Sequence, residues 1–146
     1  MLDLSVSQKD YIEAVYVLYK QLGSVRSIDV VNHLHHTRAS ISIAIQTLVE
    51  KGYVEKINNR IILTEKGNLA AEEIIKRHCV LAHALQSMGI DSETAIRDAK
   101  QMERTLSDQV INRTAEVINC KKLRTQDNIC EKELTFINKV YGTENE

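Results

Sequence analysis

Apolar residues recur at helical spacing through most of this chain, with one short exception near its middle. Between positions 5 and 22, Ile12, Val15, Leu18, Tyr19 and Leu22 fall on one face of a helix that Ser5 or Ser7 caps and Gly23 ends. Ser27 can cap a short second helix, Ile28 to about Leu34. After a polar break at His35–Thr37, a third helix runs from about Arg38 to Lys51, with Ile41, Ile45, Leu48 and Val49 at helical spacing and Gly52 as its stop. The period then changes. Tyr53–Ile57 and Arg60–Leu63 are β-prone runs around Asn58-Asn59, a pair that tolerates the positive φ of a tight hairpin. Thr64-Glu-Lys-Gly67 opens a long helix to about Met88, closed by Gly89. Asp91 or Ser92 caps another to about Leu106, Ser107 one more to about Cys120, and a last helical stretch spans roughly Asp127–Val140.

Three helices followed by a hairpin is the order of a winged helix-turn-helix. The expected fold is therefore mainly α: a winged helix-turn-helix with a two-stranded wing over residues 1–66, then an all-helical dimerisation domain over residues 67–146. Ile129, Leu134, Ile137 and Val140 form an apolar stripe that must bury on its own domain or on a second subunit. A two-fold homodimer is the natural arrangement, and it supplies two half-sites for DNA.

In such a fold the third helix enters the major groove and the wing lies along a neighbouring backbone. The outward side of that helix carries Thr37, Arg38, Ser40, Ser42 and Gln46, while the isoleucines face inward. Arg38 starts the helix, where it meets a phosphate or a guanine edge; Ser40 and Ser42 donate to phosphates; Gln46 suits an adenine. Arg60, beside Asn58 and Asn59 on the wing, and Arg26, ahead of the second helix, complete the candidate DNA-binding set. The alternative is a solvated helix face and an ordinary hairpin, or a winged helix that binds protein.

Charge leaves both open. The formal net charge is −1, so no global basic field announces a nucleic-acid partner. Residues 23–62 nevertheless hold five cations against three anions. Cys79, Cys120 and Cys130 are odd in number and lack paired spacing, which points to reduced thiols rather than a disulfide framework. Asp3, Lys9 and Asp10 interrupt any signal-like apolar run, and nothing approaches the roughly 18 apolar residues of a membrane span. A cytoplasmic protein without membrane contact is expected. No glycine-rich phosphate loop or nucleophile elbow argues for an enzyme.

Several strings in register resemble one family. Asp10-Tyr-Ile-Glu13-Ala-Val-Tyr16, Arg26-Ser-Ile-Asp-Val-Val, Leu48-Val-Glu-Lys-Gly-Tyr53, Leu63-Thr-Glu-Lys-Gly67 and Arg77-His78 are similar to the diphtheria toxin repressor / manganese transport regulator family. Met88-Gly-Ile-Asp91, followed by Met102-Glu103-x-x-Leu106-Ser107, keeps the same order. The resemblance implies a dimeric repressor that binds a palindromic double-stranded operator and responds to Mn²⁺ or Fe²⁺. It also implies Asp10, Glu13, His78 and Glu103 as metal ligands. Carboxylates and imidazole suit such ions, and Asp10 and Glu13 stand i, i+3 on one helix.

Two positions depart from the family. Lys100 stands where it has Glu or Cys, and Arg104 where it has His; neither protonated side chain coordinates a cation. Three outcomes stay open. A single site of Asp10, Glu13, His78 and Glu103 survives; or Lys100 and Arg104 replace the ion by pairing with the carboxylates; or the site shifts to recruit Cys79 and His83, an i, i+4 pair.

Overall fold

The computed structural model describes residues 3–118 of the chain. The apolar stripe of Asp127–Val140 lies outside the described residues. Two compact units emerge, Met1–Ile74 and Ile75–Glu146.

In the first unit, α1 spans Val6–Leu22. Ser5, rather than Ser7, closes its start: the Ser5 hydroxyl accepts from the Gln8 N–H, and the Gln8 side chain accepts from the Ser5 N–H. Every residue from Tyr11 to Leu18 is buried, whereas Tyr19 and Leu22, expected on the same inner face, are exposed in the last turn. Gly23, at φ 72°, turns the chain out of the helix into a short strand, β1, Val25–Arg26.

Helix α2 covers Ser27–Leu34. Ser27 is its first residue and not its cap; Asp29 reaches back to accept from the Arg26 N–H at 2.8 Å. Thr37 caps α3, Arg38–Glu50, by accepting from the Ser40 N–H. The hairpin is β2, Val54–Ile57, and β3, Arg60–Leu63, joined by Asn58 at φ 50° and Asn59 at φ 62°. Both central residues have the positive φ of a two-residue type I′ connection.

The two-stranded wing is present as expected, and a third strand extends its sheet. β1 pairs antiparallel with β3, Val25 opposite Ile61, in the order β1-β3-β2. Two residues are too few to show a period, so β1 left no trace in the sequence pattern. Val25, Val54 and Ile61 bury with Ile12, Val15, Val30, Ile41 and Leu48 as the core. Each such side chain contributes about 1.5–3 kcal/mol relative to exposure.

Helix α4, Glu65–Ser87, crosses the boundary between the units, which falls at Ile74/Ile75. Its first turn is bound to the end of α3 and the start of the hairpin. The Thr64 hydroxyl donates to the Gly52 carbonyl and accepts from the Gly67 N–H, and the Lys66 ammonium donates to the Lys51 carbonyl. Lys66 Nζ also lies 4.2 Å from the Tyr53 ring centroid.

In the second unit, α5, Ser92–Glu103, and α6, Asp108–Val117, pack Ile96, Ala99, Ile111 and Ala115 against Val80, Leu81 and Ala82. Asp91 caps α5: the Thr94 N–H, donating to its carboxylate at 2.9 Å, holds that carboxyl below the ordinary aspartate value. A depressed folded-state pKa means the cap's contribution is complete above pH 3.8, the unfolded value, and is lost as pH falls through the lower folded one. Amide exchange in the first turn of α5 is expected to quicken below that pH. Asp91→Asn should keep the cap and remove the pH dependence, and equal acid sensitivity in both proteins would refute this.

Candidate nucleic-acid interface and metal-ligand residues

The face of α3 opposite its buried Ile41, Ile45 and Leu48 is open. Arg38, Ala39, Ser42, Ile43, Gln46 and Glu50 are all exposed there, with Thr37 and Ser40 at its leading end. Several of the polar groups expected to read DNA are already engaged within the helix. Thr37 Oγ1 donates to Ser40 Oγ at 2.9 Å while accepting from the Ser40 N–H, and Gln46 Nε2 donates to Glu50 Oε1 at 3.2 Å.

Beside this helix is a second cluster of sequence-expected residues. Arg26, Ser27, Ile28, Lys56, Asn58 and Asn59 line a shallow polar cleft of about 430 Å³ between the start of α2 and the turn of the wing. Arg60, the neighbour of Asn59, pairs with Arg26 in the sheet register and is exposed like it. Two guanidiniums and an ammonium on one edge repel each other in water; a polyanion relieves that repulsion. Lys56 and Ser27 do not stand out in the sequence. Their only signal there is proximity to Asn58 and Arg26 along the chain.

The turn before α3 is tied to α1. The Tyr11 hydroxyl and His36 Nδ1 are hydrogen-bonded at 3.0 Å, ring edge to ring face. Burial first, and then the charge of Asp10, raises the Tyr11 pKa, so the hydroxyl stays protonated.

Of the expected metal ligands, Asp10 and Glu13 belong to the first unit and His78 and Glu103 to the second. Asp10 is half-buried, and Glu13 is buried. His78 on α4 and Glu103 at the end of α5 are both at least 96% buried, and they meet: His78 Nε2 lies 3.8 Å from Glu103 Oε2. That is too long for a hydrogen bond. Two donors each roughly 2.1 Å from one ion stand no more than about 4.2 Å apart, so the pair fits two ligands of one divalent ion. Among the described residues, no three His, Cys, Asp or Glu side chains gather as a metal-ion site.

The other oxygen of Glu103 is held by Arg77, whose position in the sequence marks it only as the neighbour of His78. Arg77 Nε donates to Glu103 Oε1 at 3.0 Å, and Arg77 Nη1 donates to Asp108 Oδ1 at 2.5 Å. Burial alone lowers the Arg77 pKa, but the Asp108 hydrogen bond and the charges of Glu103 and Asp108 outweigh it and raise it above the ordinary arginine value. Arg77 is a fixed cation that holds one oxygen of the carboxylate beside His78. The string Arg77-His78 marks its position but not its partner; only the fold brings position 103 to it.

The chain as a whole has relatives. Residues 64–126 match the family described as "Iron dependent repressor, metal binding and dimerisation domain". The helix-turn-helix transcriptional regulator MntR of Lysinibacillus sphaericus is 31% identical over 114 residues, covering 77% of this chain and 81% of that protein. The chain belongs to the iron/manganese-dependent repressor family. MntR of Bacillus subtilis is 29% identical over 135 residues, covering 91% of this chain and 92% of that one. The fold of T. acidophilum IdeR superposes with a TM-score of 0.67 at 24% identity, over 82% of this chain and 56% of that structure.

Members of this family are transcriptional regulators and not enzymes, which accords with a chain whose chemistry-bearing residues suit binding. Its winged helix and helical second unit are the expected fold class. Against the family pattern, Lys100 is half-buried and Arg104 exposed on either side of the buried Glu103. Cys79 is buried and His83 half-buried on α4. No helix among the described residues is long and apolar enough to cross a membrane.

Proposed function

We propose that the protein is a homodimeric repressor that places α3 in the major groove of a palindromic operator and lays its wing along the flanking backbone. The observation that carries this reading is the pairing of an exposed α3 face with the basic, polar cleft of Arg26, Lys56, Asn58 and Asn59 beside it. Arg38 and Arg60 supply phosphate contacts, and Ser40 and Ser42 hydroxyls add shorter ones. A homodimer presents two such faces to two half-sites.

The effector in this reading is Mn²⁺ or Fe²⁺, held by Asp10, Glu13, His78 and Glu103. What supports it is the donor chemistry, together with the buried His78–Glu103 pair. Bound, the ion supplies positive charge that favours the DNA-binding state of a two-state equilibrium. His78 offers its Nε2 and Glu103 its Oε2, while Arg77 keeps the second carboxylate oxygen in place. A second reading rests on Lys100 and Arg104: these cations neutralise the carboxylates, and the protein binds DNA without an ion.

One set of titrations separates them. Calorimetry of chelator-stripped protein with Mn²⁺, and anaerobically with Fe²⁺, is expected to show saturable binding that His78→Ala abolishes. A folded dimer that binds no ion and still binds DNA would favour the second reading. For the DNA itself, affinity for duplex should fall steeply with salt. Arg38→Ala should lower the slope of log K against log salt by roughly two, about one phosphate contact per protomer. An Arg38→Ala protein with unchanged slope and affinity would contradict the placement of α3.

A further inference from the structure

Helix α3 carries three isoleucines, and one of them is out of place for folding. Ile41 and Ile45 are almost completely buried, but Ile43 is 70% exposed. It stands one turn after the exposed Ala39, so the two make a small apolar patch at the centre of a face that is otherwise polar. A branched aliphatic side chain has low intrinsic helix propensity, and in water it gains little from burial at this exposure. The unit's core is complete without it.

We infer that Ile43, with Ala39, reads thymine methyl groups in the major groove, so that the operator is selected largely by apolar contact. This rests on the reading of α3 as the DNA-binding helix. The thymine C5 methyl is the one apolar group on the major-groove edges of the four bases. The polar side chains around Ile43 are poorly placed to discriminate. Gln46 Nε2 is engaged by Glu50, Thr37 and Ser40 are engaged in the cap, and the Thr47 hydroxyl donates to the Ile43 carbonyl at 3.0 Å. A serine hydroxyl at Ser42 suits donors and acceptors alike and so separates no base from another. Arg38 lies at the helix start, off the side where Ile43 stands. The Ile43–Ala39 patch is exposed, apolar and at the centre of the outward face, which suits it to a methyl group. Their Cβ atoms lie about 5–6 Å apart, as i, i+4 neighbours do. At about 3.4 Å per base step, the patch spans one to two steps, so each half-site is expected to carry one or two thymines under it.

Selection from random sequence supplies the operator for the test. Full-length protein, with and without Mn²⁺, selects duplexes from a random-sequence pool, and each thymine of the selected site is then replaced singly by deoxyuridine. That replacement removes one methyl and changes no hydrogen-bonding group. At one or two positions per half-site it is expected to weaken wild-type binding about four-fold, the transfer value of one methyl group. With Ile43→Ala the loss at the same positions should shrink below two-fold, and selection for thymine there should fade. Ile43 is exposed, so the variant should unfold at the parent temperature, and the deoxyuridine series on wild-type protein needs no variant at all. Sequence selection with no methyl-sensitive thymine, or equal sensitivity in Ile43→Ala, overturns this inference and leaves the DNA reading standing. A wild-type protein that selects no sequence and whose duplex binding ignores salt overturns both.

Discussion

Gly67→Ala should destabilise the winged-helix unit by about 3 kcal/mol and abolish DNA binding near its unfolding temperature. A Cβ on Gly67 would sit 2.0 Å from the Tyr53 carbonyl oxygen and 3.1 Å from a Leu63 methyl. The first contact is with backbone, which has no rotamer to yield. Alanine gains about 1 kcal/mol of helix propensity over glycine, but overpacking of this kind costs about 1–3 kcal/mol and sometimes more. Here the overlap exceeds an ångström, so the steric term wins. Relief requires the first turn of α4 to lift away from Tyr53, breaking the Thr64 links to Gly52 and Gly67 and removing Lys66 from the Tyr53 ring. Thermal unfolding followed by circular dichroism checks this, with Leu69→Ala as control, since Leu69 is 61% exposed two residues away. A midpoint within about 1 °C of the parent for Gly67→Ala would show that the approach is not as close as described.

Glu103→Ala should cost roughly 3 kcal/mol in the second unit even without any metal. Removing one partner of a buried pair strands the other; such breaks cost about 3–5 kcal/mol. Arg77 retains Asp108, whose carboxylate is more than half exposed, so the loss should fall at the lower end of that range. Asp108→Ala removes an exposed partner and should cost no more than about 1 kcal/mol. The asymmetry is the signature, and urea unfolding reads it directly. Arg77→Met combined with Glu103→Leu should recover much of the lost stability, because it removes the stranded charge together with its partner. The recovered protein should bind no Mn²⁺, which separates the structural role of Glu103 from its proposed role as a ligand. If Glu103→Ala and Asp108→Ala cost the same, Arg77 is not anchored as the geometry indicates.

What local sequence determined is what depends on near neighbours. Period 3.6 against period 2 located the helices and the hairpin, because side-chain direction repeats with the backbone. Ser5, Asp91 and Ser107 accept from orphan N–H groups within three residues of themselves, so their roles were legible; Thr37 does the same for α3, though in the sequence it reads only as a polar break and a DNA contact. Asn58-Asn59 specified its own turn. The family strings were likewise legible along the chain, and Asp10, Glu13, His78 and Glu103 as metal ligands are what that resemblance implies.

Tertiary structure decided whatever depends on partners distant in sequence. Strand β1 exists only because β3 pairs with it from 34 or more positions away. Arg77 reaches Glu103 across 26 positions and Asp108 across 31, so its sequence context does not reveal its partners. Gly67 looked like part of a helix start, and its need for hydrogen in place of a methyl comes from Tyr53. Ile43 looked like one more inward isoleucine. Helical phase already sets it apart, since a residue two positions from both Ile41 and Ile45 points about 200° away from each; packing decided only that the described residues leave that outward side exposed. Burial is a property of neighbours, and no residue carries its neighbours in its own identity.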